Sequence, residues 1–459
     1  GLLLDNTRLR ECGYYFFAGI AQVFEDEFSP YLAGIVPQLI ASCQLDENTT
    51  RFDNETGDQD DVDGEDTAED LNYVFRSAIA DEKEVAADTI GEFFQHTRTA
   101  FLPYVESSVK ELVALTTHMS DGVRKASCGA LFNFLRTFYK ISNPTEWKAG
   151  LPVAVPLHDN VAQLNTLVMP SILSIWEDED DKMVVVQLCQ EMVETLKLCG
   201  PGIVAEHVNS IAEHLNLIFE KKAFCQQELA DDEGLLDEDE QAEFDALLIS
   251  SASDLVGALA AVLGENFVEY AKIFIPHIAK YYKKSKPTSE RSMAIGCLGE
   301  IAAGMLAGVT GFTETIFPIA LKGLSDEEPE VRSNAAYTVG ALCQNTTLDI
   351  SSQYPALLTA LYPLFQGQNL DNVTDNACGA RDYEENEPVY KLLFSLIRAQ
   401  HAWCFANMAQ LLKIFEEVLS KEDELKPHTR QEMIELVKAL NTQFPALNIA
   451  ASGLAPYLQ

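Results

Sequence analysis

The sequence is short of positive charge. It has 32 Lys and Arg against 71 Asp and Glu in 459 residues, which gives a formal net charge of −39 and a pI near 4.4. Polyanions are repelled by such a chain at long range, so nucleic acid and anionic membranes are disfavoured as partners and basic proteins are favoured. Hydrophobic residues make up 47% and charged residues 22%, values typical of a folded protein.

The sequence also lacks the common signatures of catalysis and metal binding. Its ten cysteines occur singly, without a CxxC pair or a Cys/His spacing suited to zinc. It has no phosphate-binding glycine loop, HExxH motif or nucleophile elbow. His207 and His214 lie seven positions apart but have no carboxylate at ligand spacing. We therefore expect no enzyme activity, no cofactor and no metal.

Long apolar runs are scarce as well. A membrane-spanning helix needs about 18 or more apolar residues. The longest candidate, from Leu247 to Leu263, is interrupted by Asp254, so we expect no membrane segment.

What the sequence does contain is an internal repeat. Arg291, Arg332 and Thr374 open similar segments that are 41 and then 42 positions apart, and Asp121 opens a related segment upstream. A period of about 40 residues is typical of two-helix HEAT or armadillo units. Each unit reads as a first helix near a proline, a short acidic turn and a second helix with an apolar stripe.

The repeat predicts the fold class. We expect an all-α chain that forms a right-handed α-solenoid superhelix of HEAT repeats, as a single array of about nine hairpins over residues 1–459. An all-α bundle is the alternative, although a bundle does not require a 41–42 residue repeat. Arg124 and Arg332, near the starts of second helices, are expected to pair with acidic turns of adjacent repeats.

Two acidic insertions interrupt the repeats. Residues 46–70 contain twelve Asp or Glu and one Arg, and residues 228–245 contain ten Asp or Glu and no basic residue. Both are expected to be loops inside a hairpin, because helical patterning resumes at Val85 and at Phe244. They are either solvated loops that aid solubility or mobile polyanions that attract basic partners.

The pattern breaks once near Ala380 and Arg381. The second helix opened by Val373 should run for about fifteen residues, yet a charged helix-start segment follows after barely two turns. We infer that a stretch of chain is missing at this point.

Many short segments, in order along nearly the whole chain, resemble the importin-β (karyopherin-β) superfamily. Within it they are most similar to the C-terminal half of importin-four type receptors, which fungi use for ribosomal proteins and core histones. The segments that carry the resemblance are Leu9–Cys12, Asp81–Glu84, Phe101–Ser107, Val123–Ala126, Asp239–Ala246, Pro329–Ala335 and Asp375–Ala380. The acidic insertions also fall where that family has them. The departure is the break after Ala380, where family members continue the helix and add another.

A binding surface for basic peptides is predicted near the C-terminal end of the repeats. Asn334 and Asn376 occupy equivalent positions of successive second helices and would form a ladder of amides that holds an extended peptide. Carboxylates and tyrosines nearby would receive a Lys or Arg side chain. The candidate residues are Glu290, Ser292, Asn334, Tyr337, Asp375, Asn376, Glu384, Glu385, Glu387 and Tyr390.

Each of these residues has a structural alternative. Asn334 would then crosslink neighbouring hairpins, the tyrosines would belong to the core, and the Glu384/Glu385 pair would be an ordinary helix start. The resemblance implies that the C-terminal concave surface holds a lysine-centred nuclear-localisation segment.

The resemblance implies a function. The chain would be the cargo-binding C-terminal region of a nuclear import receptor that shuttles between cytoplasm and nucleus. Its partners would be core histones, ribosomal proteins and phenylalanine–glycine (FG) nucleoporin repeats, with the Ran GTPase bound mainly by an N-terminal half absent from this sequence. The alternative is an acidic HEAT-repeat scaffold or histone chaperone with no transport role.

Overall fold

The structure is a computed structural model that describes residues 7–46, 68–227, 238–365, 383–421 and 425–458. All regular secondary structure in these ranges is helical. The predicted all-α class is confirmed, and first and second helices alternate along the chain as the repeat requires.

The helices are numbered in chain order. The first helices of the hairpins are α2 (Leu32–Cys43), α4 (Val105–Leu115), α6 (Asp159–Asp178), α8 (Val208–Phe219), α10 (Val268–Ala279), α12 (Thr313–Gly323), α14 (Tyr354–Leu361) and α17 (Met408–Ser420). The second helices are α1 (Thr7–Phe24), α3 (Ala68–Thr97), α5 (Asp121–Ile141), α7 (Lys182–Cys199), α9 (Glu238–Leu263), α11 (Thr288–Gly304), α13 (Pro329–Asn345), α15 (Tyr383–Arg398) and α18 (Pro427–Gln443). A short helix, α16 (Ala402–Ala406), precedes α17.

The chain divides into two compact units, Gly1–Leu255 and Val256–Gln459, with the boundary inside α9. In unit 1 the second helices pack in sequence, α1 on α3, α3 on α5 and α5 on α7, and α2, α4 and α6 each pack on the second helix that follows. In unit 2, α11 packs on α13 and α13 on α15, while α10 and α12 cover α11 and α13. That the whole chain is one continuous array stays a prediction.

Second helices connect to the next first helix through a recurrent junction. A residue with a positive, left-handed φ follows the second helix, as at Glu25 (φ 42°), Arg98 (φ 48°) and Leu306 (φ 51°). A 3₁₀ turn then leads into the first helix of the next hairpin. At one junction this residue is Gly264 (φ 57°), which adopts the left-handed region without steric cost. Such a junction lets each helix pair reverse direction in a few residues.

Arginines near the starts of second helices tie neighbouring repeats together. The guanidinium of Arg124 donates to Glu179 at 2.9 and 2.5 Å and to Asp180 at 2.9 Å, in the acidic turn of the next hairpin. Arg10 likewise donates to the fully buried Glu82 through two bonds of 2.7 Å. The predicted pairing of Arg124 is confirmed, and since its partner Glu179 is 1% exposed, the pair is a part of the core.

Arg332 donates to the backbone oxygens of Asp326 and Glu327 in the turn of its own hairpin, at 2.8 Å each, as Arg124 does to those of His118 and Met119. The predicted pairing of Arg332 with the next repeat stays a prediction. The acidic side chain of that turn, Asp326, accepts from Arg291 of the preceding hairpin at 3.3 Å. Arg332 and Arg291 therefore fix the same acidic turn from opposite sides.

The acidic insertions are shorter than predicted. Helix α3 begins at Ala68, not near Val85, and α9 begins at Glu238, not near Phe244. The remaining insertion residues, 47–67 and 228–237, lie outside the described residues, as does the predicted break near Ala380.

One stretch, Gln241–Ala279, has the length and apolar composition of a membrane-spanning segment. It consists of α9, a 3₁₀ turn (Gly264–Phe267) and α10, and 72% of its apolar window is buried inside the protein. Its apolar residues form part of the repeat core, and a buried core helix has the same apolar composition as a membrane span.

Candidate functional site

Asn334, the one described residue of the predicted amide ladder, lies at the seam between α11 and α13. The Asn334 side-chain amide donates to the backbone oxygen of Ser292 at 3.1 Å and to its hydroxyl at 3.0 Å. The Ser292 hydroxyl donates to Glu330 at 2.8 Å, and Ser292 is only 2% exposed. Asn334 therefore crosslinks neighbouring hairpins, which is the structural alternative considered above.

Two further predicted residues also make contacts within the repeat. Glu290 lies 2.7 Å from the ammonium group of Lys286. Tyr337 packs so closely on Gly299 that an added Cβ there would lie 2.8 Å from the tyrosine ring. This contact requires glycine at position 299, and it explains how α11 and α13 approach closely enough for Asn334 to reach Ser292.

The prediction that Tyr390 presents its ring to a cation is wrong. Tyr390 is 5% exposed and stacks on Phe394, with ring centroids 6.1 Å apart, and Phe394 in turn contacts Phe415. The ring belongs to the core between α15 and α17, because burying an aromatic face against other rings is more favourable than leaving it in water.

The rest of the predicted site stays a prediction. Asp375 and Asn376 lie outside the described residues. Glu384, Glu385 and Glu387 occupy the start of α15, where the structure describes the backbone but not these side chains.

A carboxylate cluster that the sequence reading missed lies in unit 1. Glu11 and Tyr15 are one turn apart on α1, and Asp81, Glu84 and Asp88 recur at helical spacing on α3, which packs beside α1. We call these five residues the unit-1 acidic face. Tyr15 is 62% exposed, and its phenol pKa is raised by partial burial and by all four carboxylates. The ring is thus bordered by negative charge and open to solvent.

The carboxylates of this face destabilise one another. Desolvation and then the charges of Glu84, Glu92 and Glu191 raise the pKa of Asp88 to about 6, even though its side chain keeps contact with solvent. Desolvation, with Asp81 and other acidic neighbours, also raises the pKa of Glu11 and Glu84. A cation placed among these groups would relieve their repulsion, which favours binding of a basic side chain.

Several cations around the face are already paired. Arg136 bridges to Glu191 at 2.7 Å, and Lys125 lies 3.4 Å from Asp121. Glu84 itself lies against Gly122 at the start of α5, where any side chain would collide with the carboxyl group. The face therefore presents net negative charge, beside an aromatic ring able to stack on an ammonium or guanidinium group.

The sequence carried one signal for this face. Asp81, Glu84 and Asp88 follow i, i+3, i+7 spacing, which places them on one side of a helix. The signal was missed because the helix was expected to begin only near Val85.

A second surface feature is an apolar groove between the first helices α4 and α6. It has a volume of about 1030 Å³ and is lined by residues that include Val105, Val109, Leu164 and the more exposed Leu102 and Leu167. Such a groove offers space for apolar side chains of a partner.

Comparison with known proteins identifies relatives over nearly the whole chain. The family described as "Stalled ribosome sensor GCN1-like, HEAT repeats" matches residues 249–382. The "Probable importin subunit beta-4" of Schizosaccharomyces pombe is 34% identical over 495 residues, covering 97% of this chain and 46% of the relative. "Importin-4" of Mus musculus is 30% identical over 411 residues, covering 82% of this chain and 36% of the relative.

Solved structures support the same fold. The karyopherin Kap121p, in a crystal structure with the SUMO protease Ulp1p, superposes with a TM-score of 0.64 at 16% identity, covering 95% of this chain and 42% of that one. The chain spans less than half the length of each of these relatives.

The alignment with the fission-yeast relative is longer than the 459 residues of this chain, so that relative has residues which this chain lacks. Together, the two-helix repeats and the similarity to importin-4 along the chain show that it belongs to the importin-β (karyopherin-β) family of nuclear import receptors.

Proposed function

We propose that this chain is the cargo-binding C-terminal region of a nuclear import receptor and that it recognises basic, lysine-rich localisation segments. The observation that carries the proposal is the unit-1 acidic face, where the charges of four carboxylates raise the phenol pKa of the exposed Tyr15. Core histones and ribosomal proteins are the proposed cargo class, because their localisation segments supply closely spaced lysines. The receptor would shuttle between cytoplasm and nucleus.

Recognition would combine two interactions. A lysine ammonium group would lie over the Tyr15 ring and donate to carboxylates of α3, such as Glu84 and Asp88. Cation–π contact contributes about 0.5–2 kcal/mol, depending on how far the cation is desolvated. The mutual repulsion that raises the pKa of Asp88 would fall once a cation is bound.

Binding of a lysine-rich histone-tail peptide tests this proposal. We expect the charge reversal Glu84→Lys/Asp88→Lys to weaken binding by about tenfold or more, since it replaces attraction with repulsion. The matched control is Glu206→Lys/Glu213→Lys, which makes the same change of charge at two exposed positions around α8. If the two variants lost the same affinity, binding would depend only on the total charge of the chain. The unit-1 acidic face would then not be the peptide-binding site.

We further propose that FG nucleoporin repeats bind the α4/α6 groove, where a phenylalanine side chain would pack on Leu102 and Leu167. Ran would engage the full-length receptor mainly through its N-terminal half. Leu102→Ser/Leu167→Ser should weaken binding of an FG-repeat peptide and leave the histone-tail peptide unaffected. If wild type binds the histone tail but no FG peptide, a histone chaperone or scaffold role would replace the transport role.

A further inference from the structure

The segment that joins α10 to α11 is positively charged, in contrast to the chain as a whole. Residues 280–291 contain four lysines and one arginine against a single glutamate, in a protein whose acidic residues outnumber its basic ones by more than two to one. The four lysines, Lys280, Lys283, Lys284 and Lys286, fall within seven positions and enclose Tyr281 and Tyr282.

Two contacts hold this loop in place. Tyr282 is 9% exposed, and its hydroxyl donates to Asp326 at 3.2 Å. Lys286 is tied to Glu290 at 2.7 Å and lies over the Tyr281 ring, 5.1 Å from its centroid. The loop is therefore anchored at two points, which lowers the entropy lost when a partner binds it.

The remaining lysines face solvent. Lys280, Lys283 and Lys284 are exposed, and none of the three forms an ion pair with an acidic residue in the part of the chain that the structure describes. Lys322 of the next hairpin lies over the other ring, 5.4 Å from the centroid of Tyr282, and extends the positive charge onto α12. We call Lys280, Lys283, Lys284 and Lys322 the basic patch.

We propose that the basic patch is a docking surface for a short acidic segment of a protein partner, distinct from the basic cargo. Carboxylates of such a segment would receive charge-assisted hydrogen bonds from ammonium groups that have no partner ion in the described structure. At physiological salt the Debye length is about 8 Å, so a short segment held at the patch is screened from the remote negative charge. A long polyanion such as nucleic acid would extend over acidic surface and be repelled.

Binding of a fluorescein-labelled oligoglutamate peptide to the full chain, followed by anisotropy, tests the proposal. We expect saturable binding that weakens as salt rises from about 0.05 M to about 0.2 M, because surface charge pairs are screened. Lys280→Glu/Lys283→Glu/Lys284→Glu should weaken it by about tenfold. The matched control is Lys140→Glu/Lys148→Glu/Lys197→Glu, which makes the same charge change at exposed lysines of unit 1 and should weaken binding by less than about threefold.

The neutral variant Lys280→Gln/Lys283→Gln/Lys284→Gln should give an intermediate loss, and it leaves the anchors Tyr282 and Lys286 intact. Affinity for the histone-tail peptide should not fall in any of these variants, so the outcome is separate from that of the proposed cargo site. Absence of saturable oligoglutamate binding, or equal losses in the patch and control variants, would overturn the proposal. Tighter binding of a charge-matched oligothymidine would overturn it in favour of a nucleic-acid site.

Discussion

The second helices α3 and α13 hold equivalent places in their repeats but use their polar side chains differently. On α13, the Asn334 amide and the Thr338 hydroxyl bond to backbone oxygens of α11, the latter to Ile295 at 2.8 Å. On α3, Glu84 and Asp88 face acidic neighbours and keep raised pKa values. A polar residue of a second helix can therefore join two repeats or remain available to a partner.

The largest effect should come from breaking a repeat-to-repeat ion pair in unit 1. Arg124→Ala leaves the Glu179 carboxylate, 1% exposed, without its charge partner, and removing one member of a buried pair costs about 3–5 kcal/mol. Urea unfolding followed by circular dichroism would measure the loss.

Lys197→Ala is the control, because the Lys197–Glu194 pair is more than 60% exposed on both sides and should contribute less than about 1 kcal/mol. If Arg124→Ala proved as mild as this control, the arginine pairing would not hold neighbouring repeats together.

An intermediate effect is expected at the α11–α13 seam. Asn334→Ala removes both bonds to Ser292 and should lower the free energy of unfolding by about 1–2 kcal/mol, without changing affinity for a basic peptide. Gln344→Ala, at an exposed position of the same helix, should change neither quantity. If Asn334→Ala weakened peptide binding without changing stability, Asn334 would belong to the peptide-binding surface. The polar residues of α13 and α3 would then have the same role.

The smallest effect is a pH dependence of peptide binding. A carboxylate with a pKa of about 6 is ionised at pH 7.5 and largely protonated at pH 5.5, while lysine remains charged throughout. Affinity for the basic peptide should therefore fall by about fourfold as pH drops across this interval, because binding requires the ionised form of this one carboxylate.

Asp88→Asn should lower the affinity at neutral pH and flatten this dependence. Asp349→Asn is the control: the pKa of Asp349 is lowered by its hydrogen bonds to Ser351, so it stays ionised across the interval. A dependence unchanged in Asp88→Asn would assign the titration to another group.

The sequence was sufficient to predict what depends on local pattern. The repeat register gave the hairpins, the all-α class and the pairing of Arg124 with the acidic turn of the next hairpin. The sequence also held a signal for the start of α3 that was missed, since Leu71, Val74, Phe75 and Ile79 follow helical spacing well before Val85.

The candidate site was harder to predict because it depends on distances between helices. The sequence left open whether Asn334 binds a partner or joins two hairpins. Small residues of α11, such as Gly299, let α13 approach until the amide reaches Ser292. Tyr390 follows a charged segment, yet its ring is buried and stacks on Phe394, which in turn contacts Phe415. The contacts of Asn334 with Ser292 and of Phe394 with Phe415 join residues far apart in sequence, so neighbouring residues do not reveal them.

The central claim is that basic peptides bind the unit-1 acidic face. Zero-length carbodiimide crosslinking tests it most directly, since it joins a lysine amine to a carboxyl group only when the two are in contact. With a lysine-rich histone-tail peptide, mass spectrometry should find crosslinks to Glu11, Asp81, Glu84 or Asp88, and Asp88→Asn/Glu84→Gln should remove most of them. Crosslinks confined to Glu384, Glu385 and Glu387, with none on α1 or α3, would contradict the claim.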